Sequence, residues 1–216
     1  LVSSNPHFFE WVQNHIGIAH VEKGNTEWND YERKSGNFAS SEDTNQIRQI
    51  RFGSLRELQK KILKEVYHDQ HKHKKKNPTG DRKISCFIDS KGCHGKTWLS
   101  LHLYERGLAL IVPRASCTAE KISAFVCSAY KGEQYIILDI PRSRKITPEL
   151  YEAIEELKDG LVFDHRYYGR ARNVRGIYLV VFTNQELDLK KLSHDRWCLH
   201  GIREDARTAP TSNSSL

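Results

Sequence analysis

From residue 84 to residue 140, short apolar runs alternate with stretches of helical periodicity, and this alternation constrains the fold more than any other feature of the chain. Residues 84–89, 108–113 and 134–140 read as strands, and residues 96–106 and 118–130 as helices, which gives βαβαβ. Tyr135-Ile136-Ile137-Leu138 is apolar without interruption, as a strand covered on both faces requires. Ile122, Phe125, Val126 and Ala129 share one face of the second helix. The expectation is an α/β fold around a central parallel sheet. A helix over 148–158, a strand or hairpin over 161–175, a strand over 177–183 and an apolar–polar stretch at 197–202 extend the pattern.

With 216 residues the chain has room for one domain, or one and a remnant, and 38% apolar against 28% charged residues is the balance of a folding chain. A net charge of +7 favours an anionic partner, with nucleic acid or nucleotide foremost. No apolar run approaches the length of a membrane span. The five cysteines lie apart and form no CxxC pair, so neither a disulfide framework nor a zinc site is expected, and an intracellular, reducing compartment fits. The chain opens on Leu1 without a secretory apolar stretch and is expected to be a piece of a longer protein.

Residues 1–50 are expected to be a remnant or the C-terminal end of another domain, 51–80 a helix followed by a basic linker, 81–203 the main domain and 204–216 a disordered tail. Leu55, Leu58, Ile62 and Val66 recur at helical spacing. Their face has no evident partner within 1–50, which suggests an oligomerising collar.

Ser90-Lys91-Gly92-Cys93-His94-Gly95-Lys96-Thr97 follows one expected strand and opens an expected helix, the context that a phosphate-binding loop needs. Glycines would turn backbone N–H groups toward phosphate, the helix N-terminus adds its dipole, Lys96 supplies a charge and Thr97 a hydroxyl for Mg²⁺. Ser90 stands where the first glycine of the usual G-x-x-x-x-G-K-[ST] pattern belongs. An ordinary glycine-rich turn with a surface lysine is the plain alternative. Asp139 ends the apolar run of its strand, where a carboxylate could hold the magnesium water shell or simply cap the strand. The next residue is Ile140, so a second acid is missing. Asn184 ends the run 179–183, where an amide could orient an attacking water or merely form a turn. Arg196 could reach phosphate across a subunit boundary, or pair with Asp195 beside Trp197.

Lys96, Asp139 and Asn184 stand 43 and 45 residues apart. This ordering resembles the helicase domain of the third helicase superfamily, found in replication initiators of small circular DNA viruses and related plasmids. Ile137-Leu138-Asp139-Ile140-Pro141-Arg142 is similar to the Asp-x-Pro-Arg form of Walker B in nanovirus-like and alphasatellite replication proteins, which accounts for the missing second acid. Asp81-Arg82-Lys83-Ile84, Leu55-Arg56-Glu57-Leu58-Gln59 and Leu192-Ser193-His194-Asp195-Arg196-Trp197 also resemble neighbourhoods of that family. The likeness spans residues 55–203.

The resemblance implies an AAA+-like P-loop NTPase with a central parallel sheet, preceded by a small helical oligomerisation segment. ATP would lie on Gly92, Cys93, His94, Gly95, Lys96 and Thr97, with Mg²⁺ on Thr97 and Asp139, Asn184 as sensor amide and Arg196 as a finger given to a neighbour. Such proteins work as rings, commonly hexamers, moving 3′-to-5′ on single-stranded DNA. Their DNA-gripping hairpin corresponds to 161–175, where His165, Arg166, Tyr167, Tyr168, Arg170, Arg172 and Arg175 combine charge for phosphates with rings for stacking. A solvated basic hairpin is the alternative there. His20-Val21-Glu22-Lys23 is similar to the last nickase motif of full-length relatives, but His20 replaces the nucleophilic tyrosine, so no nicking is expected. His71-Lys72-His73 reads as linker rather than as the nickase metal pair. The location implied is the host nucleus for a eukaryotic virus, or the cytoplasm for a bacterial plasmid. Two rivals remain: a catalytically weak DNA-binding module, and a P-loop kinase, which has no evident use for the basic hairpin.

Overall fold

The structure, a computed structural model, describes residues 7–15, 38, 40, 43–71, 82–116, 118–166 and 169–202. The His20 segment, the 72–80 linker, Tyr167, Tyr168 and the 204–216 tail lie outside the described residues. In chain order the elements are α1 (Phe8–His15), α2 (Asn45–Phe52), α3 (Glu57–His71), β1 (Ile84–Ile88), α4 (Lys96–Glu105), β2 (Ala109–Ile111) and α5 (Ala119–Ala129). There follow β3 (Tyr135–Ile140), α6 (Pro148–Asp159), β4 (Leu161–Asp164), β5 (Arg170–Asn173), β6 (Tyr178–Thr183) and β7 (Trp197–Gly201).

The five apolar strands form one sheet in the order β2-β3-β6-β1-β7, parallel at every pairing. Successive side chains along a strand point to opposite faces, so each strand feeds two cores. Cys86, Ile136, Leu138, Leu179 and Val181 face one way and pack with Ile122 and Val126 of α5 and Ile154 and Leu157 of α6. Phe87, Ile137, Val180 and Phe182 face the other way and pack with Ile62 and Val66 of α3 and Leu99 and Leu103 of α4. The antiparallel β4–β5 hairpin lies outside the sheet, against α5 and α6.

Two elements depart from the expectation for the N-terminal region. The apolar face of α3, expected to build a collar between subunits, is buried within the chain: Val66 is fully covered and Ile62 nearly so. Its partner is the sheet, which begins at residue 84, well beyond residues 1–50. Upstream, α2 packs on α4, and the buried Arg51 ties them by ion pairs to Asp43 and, at 2.9 Å, to Glu105.

The connections out of β1 and β6 leave in opposite directions. The chain after β1 travels to the far edge at β2, whereas the chain after β6 crosses to β7 on the other side of β1. Such a reversal opens a crevice beyond the carboxyl ends of the two strands, the usual ligand position in open α/β sheets.

Because α3 serves its own sheet, Ile62→Ala is expected to cost about 2–4 kcal/mol of unfolding free energy in urea, through lost burial and the cavity left behind. Elution on a sizing column should be unchanged; a collar surface would give the reverse pattern.

Candidate functional site

Residues 89–95 carry the chain from the end of β1 into α4. Gly92, Cys93 and Gly95 all have positive φ, at 85°, 65° and 77°. Left-handed residues in succession turn backbone N–H groups into a shared hollow that suits an anion. A glycine takes this conformation freely, but Cys93 does not, and its strain marks the loop as a place where shape is held against local preference. At Gly92 an added Cβ would also stand 3.1 Å from a guanidinium nitrogen of Arg142.

The carboxylate of Asp89 lies in the loop and is fully buried. Its Oδ1 accepts the Gly92 N–H at 2.7 Å and sits 2.8 Å from His94 Nδ1, while Oδ2 accepts from the Lys96 ammonium. Burial pushes the Asp89 pKa up, but the bonds from Lys96, Gly92 and His94 outweigh it and hold the pKa below the ordinary 3.8. The backbone of Asp89 is fixed as well: its N–H donates to the Thr183 carbonyl at 2.9 Å, and its carbonyl accepts from Asn184 Nδ2 at 2.5 Å. Arg142 reaches over from the end of β3 and donates to the Ser90 carbonyl at 2.6 Å. Gln185 Nε2 donates to the carbonyls of Arg142 and Arg144 at 3.0 and 2.9 Å, which joins the exit of β3 to that of β6.

The crevice therefore gathers Gly92, Cys93, His94, Gly95, Lys96, Thr97 and Asn184. Lys96 is buried with its ammonium turned to Asp89, whereas Thr97 is exposed on the first turn of α4. Asp139 stands at the same end of the sheet and on the face that α4 covers, in register with Phe182 and, one strand further, Phe87. Two strand spacings, about 10 Å, separate it from β1. Its carboxylate pairs with the half-exposed guanidinium of Arg114.

Arg196 is not part of this gathering. It precedes β7, at the amino end of the sheet, 1% exposed, with its guanidinium 3.0 Å from Glu155 and 2.9 Å from Asp159 on α6. A finger for a neighbouring subunit must be exposed, so that expectation is corrected: Arg196 is a buried ion-pair partner. In the hairpin, Arg166 pairs with Asp164 at 2.9 Å and holds that carboxyl at about 2. Arg172 donates to the Cys127 carbonyl at 3.3 Å. Arg170, Arg175 and His165 are exposed, with His165 stacked on Phe163.

Sequence reasoning missed Asp89 and the role of Arg142. Asp89 has a signal, a lone acid closing an apolar run just before a glycine-rich loop, but it reads equally as a strand cap. Arg142 was visible only as part of the Asp-x-Pro-Arg resemblance.

For a magnesium ion the relevant groups are the Thr97 hydroxyl and the Asp139 carboxylate. Among the described residues no cluster of three or more His, Cys, Asp or Glu side chains forms a metal site. Magnesium held with phosphates needs only one or two hard oxygen ligands from the protein; Thr97 and Asp139 carry oxygens of that kind, and the Asp139 carboxylate would have to leave Arg114 to serve. No family model matches the chain, and no curated protein matches its sequence. The reading of the site rests on its own chemistry.

A second buried carboxylate, Asp69 of α3, accepts from Ser85 Oγ at 2.7 Å and lies 2.8 Å from His200 Nε2. Burial raises its pKa, and the His200 and Ser85 bonds outweigh this, so it too titrates below 3.8. A depressed carboxylate pKa contributes stability that is present above the unfolded value and is lost as pH falls through the folded value. The urea midpoint should therefore hold above about pH 5 and fall steeply below about pH 4, with a shallower fall in Asp69→Asn. An acid limb of equal slope in that variant would show that Asp69 contributes nothing.

Proposed function

We propose that this chain is the ATP-hydrolysing helicase domain of a rolling-circle replication initiator, a P-loop NTPase that moves on single-stranded DNA as a ring of like subunits. One observation carries the reading: the left-handed turn of Gly92, Cys93 and Gly95 leads into α4 at Lys96, in the crevice between β1 and β6 where Asn184 also stands. A triphosphate there would take the loop amides and the Lys96 ammonium, with the N-terminus of α4 behind them. Asn184, on the adjacent strand end, would orient a water toward the terminal phosphate through its Oδ1, its Nδ2 being bonded to the Asp89 carbonyl. Magnesium, when bound, neutralises triphosphate charge, and Thr97 and Asp139 would hold it. Arg196 takes no part. The hairpin offers Arg170, Arg175 and His165 to a DNA strand, and the +7 net charge favours that partner.

A weaker reading, a DNA-binding module with little turnover, is favoured by the capture of Lys96 and the Gly92 amide by Asp89. The two separate in ATPase assays with and without single-stranded DNA. A working hydrolase should show stimulated turnover, abolished by Lys96→Ala and lowered about 10²-fold by Asn184→Ala. Turnover indifferent to Lys96→Ala would end the helicase reading. If Asp89 silences the loop, the wild type should be inert and Asp89→Asn should recover nucleotide binding.

For the hairpin, the double change Arg170→Ala, Arg175→Ala should weaken single-strand binding and reduce its salt slope by about 1 to 2, at about 0.7 for each phosphate no longer neutralised. An unchanged slope would place the DNA elsewhere.

A further inference from the structure

A groove of about 260 Å³ lies between α3 and β7, lined by Leu58, Ile62, Phe87, Leu199, His200 and Gly201 among others. Two hydrogen bonds join its walls to the phosphate loop and to the end of the strand that leads into it. Gln59, next to Leu58, donates to the carbonyl of Gly95 at 3.2 Å. Ile202, which closes the groove after Gly201, donates its N–H at 2.9 Å to the carbonyl of Ile88, and the next residue is Asp89. The groove and the loop hollow are thus neighbours on a shared frame.

Direction follows from the sheet order. Asn184 and Asp139 belong to β6 and β3, on one side of β1, and β7 is the neighbour on the other side. For a nucleotide whose terminal phosphate faces Asn184, extension away from β6 leads toward β7 and the groove.

The groove has the groups that a base requires. His200 stacks on Phe87 with centroids 4.8 Å apart and planes at 19°, and Asp69 holds its Nε2 from behind. That ring forms one wall, and the α3 wall opposite is apolar at Leu58 and Ile62 and charged at Lys61 and Glu65. The edge of the base meets β7, which pairs with β1 on one side and with no further strand among the described residues. In a parallel ladder alternate residues direct both N–H and C=O to the same side. The Ile202 bond to Ile88 sets the phase: Cys198, His200 and Ile202 turn toward β1, so Leu199 and Gly201 turn outward. The Leu199 carbonyl and the Gly201 N–H then form an acceptor and donor one residue apart, the pair that an added strand would take.

We propose that this groove seats the base of the nucleotide whose phosphates the 89–97 loop holds, and that it selects bases with an exocyclic amino group beside a ring-nitrogen acceptor, adenine foremost. The inference rests on the phosphate-loop reading. Adenine offers its N6 amino group to the Leu199 carbonyl and its N1 to the Gly201 N–H. Cytosine offers the same order with less ring to stack, while guanine and uracil present a carbonyl and an N–H in reverse. Reversed groups leave both partners unpaired, which is how a polar site rejects a wrong ligand. His200 is the stacking wall and Asp69 its positioning residue.

The test is calorimetric titration of the full chain in magnesium buffer with ATP, CTP, GTP, UTP and inorganic triphosphate. The wild type should bind ATP at least about 10-fold more tightly than GTP or inorganic triphosphate, a gap of one decade in Kd. Leu58→Trp, which fills the groove, and His200→Ala should each bring ATP down to the affinity of inorganic triphosphate while leaving the latter unchanged. Gly201→Pro removes an outward N–H without touching the ladder, and should erase the preference for ATP over GTP. Lys96→Ala should weaken ATP and inorganic triphosphate together. Triphosphate binding with no gain from the base, or a gain that survives both Leu58→Trp and His200→Ala, overturns the base seat and leaves the loop reading standing. Binding of neither ATP nor inorganic triphosphate overturns both.

Discussion

A buried Asp89 carboxylate, held by a backbone amide, an imidazole and an ammonium, is the interaction on which the rest of the site depends. A lone charge in such a place would be neutralised or expelled, and it persists because three donors meet it. The same donors fix the loop. Gly92 must turn left-handed to bring its N–H to Oδ1, Lys96 must open α4 with its side chain turned back, and the Asp89 carbonyl stays free for Asn184. Breaking one member exposes the others, so Lys96 has two roles that a single substitution cannot separate: it is a candidate phosphate ligand and the counter-charge of a buried acid.

The frame around that acid is built by covering both faces of a parallel sheet. Strand alternation sends Phe87 and Phe182 to the α3–α4 side and Cys86 and Val181 to the α5–α6 side, and neither face could remain in water. This explains why α3 folds back onto strands that follow it in sequence. It also brings Gln59 to Gly95 and Asp69 to His200, so the helix that completes the core also steadies the loop and the β7 edge.

What could be read in the sequence follows the range of the interactions. The βαβαβ alternation, the continuous apolar run of β3 and the strand–loop–helix around 90–97 are local signals, and the sheet with its loop in the crevice has that form. Long-range pairing was not legible. The α3 periodicity announced an apolar face without naming its partner, and the sheet is that partner. Arg196 reads on paper as an exposed arginine beside an aspartate, yet it is buried against α6, because burial depends on which helix the short turn leading into β7 passes. Asp89 was hidden for a different reason. A single acid at a strand end has many roles, and only the left-handed geometry of the following glycines shows which one it takes here.

The captured lysine bears on how any phosphate could bind. The Asp89 carboxylate and a phosphate oxygen seek the same amide and the same ammonium, so a triphosphate entering the loop exchanges one anion for another. The net gain is a difference between two similar interactions, smaller than the full attraction of phosphate for Lys96. Selective binding then has to draw on contacts for which Asp89 does not compete. The groove walls at Leu58 and His200, and the β7 edge that pairs with no further strand among the described residues, would be such contacts, and β7 lies on the side of β1 away from Asn184. A loop balanced in this way would discriminate against free phosphate and favour a ligand long enough to hold both ends of the crevice.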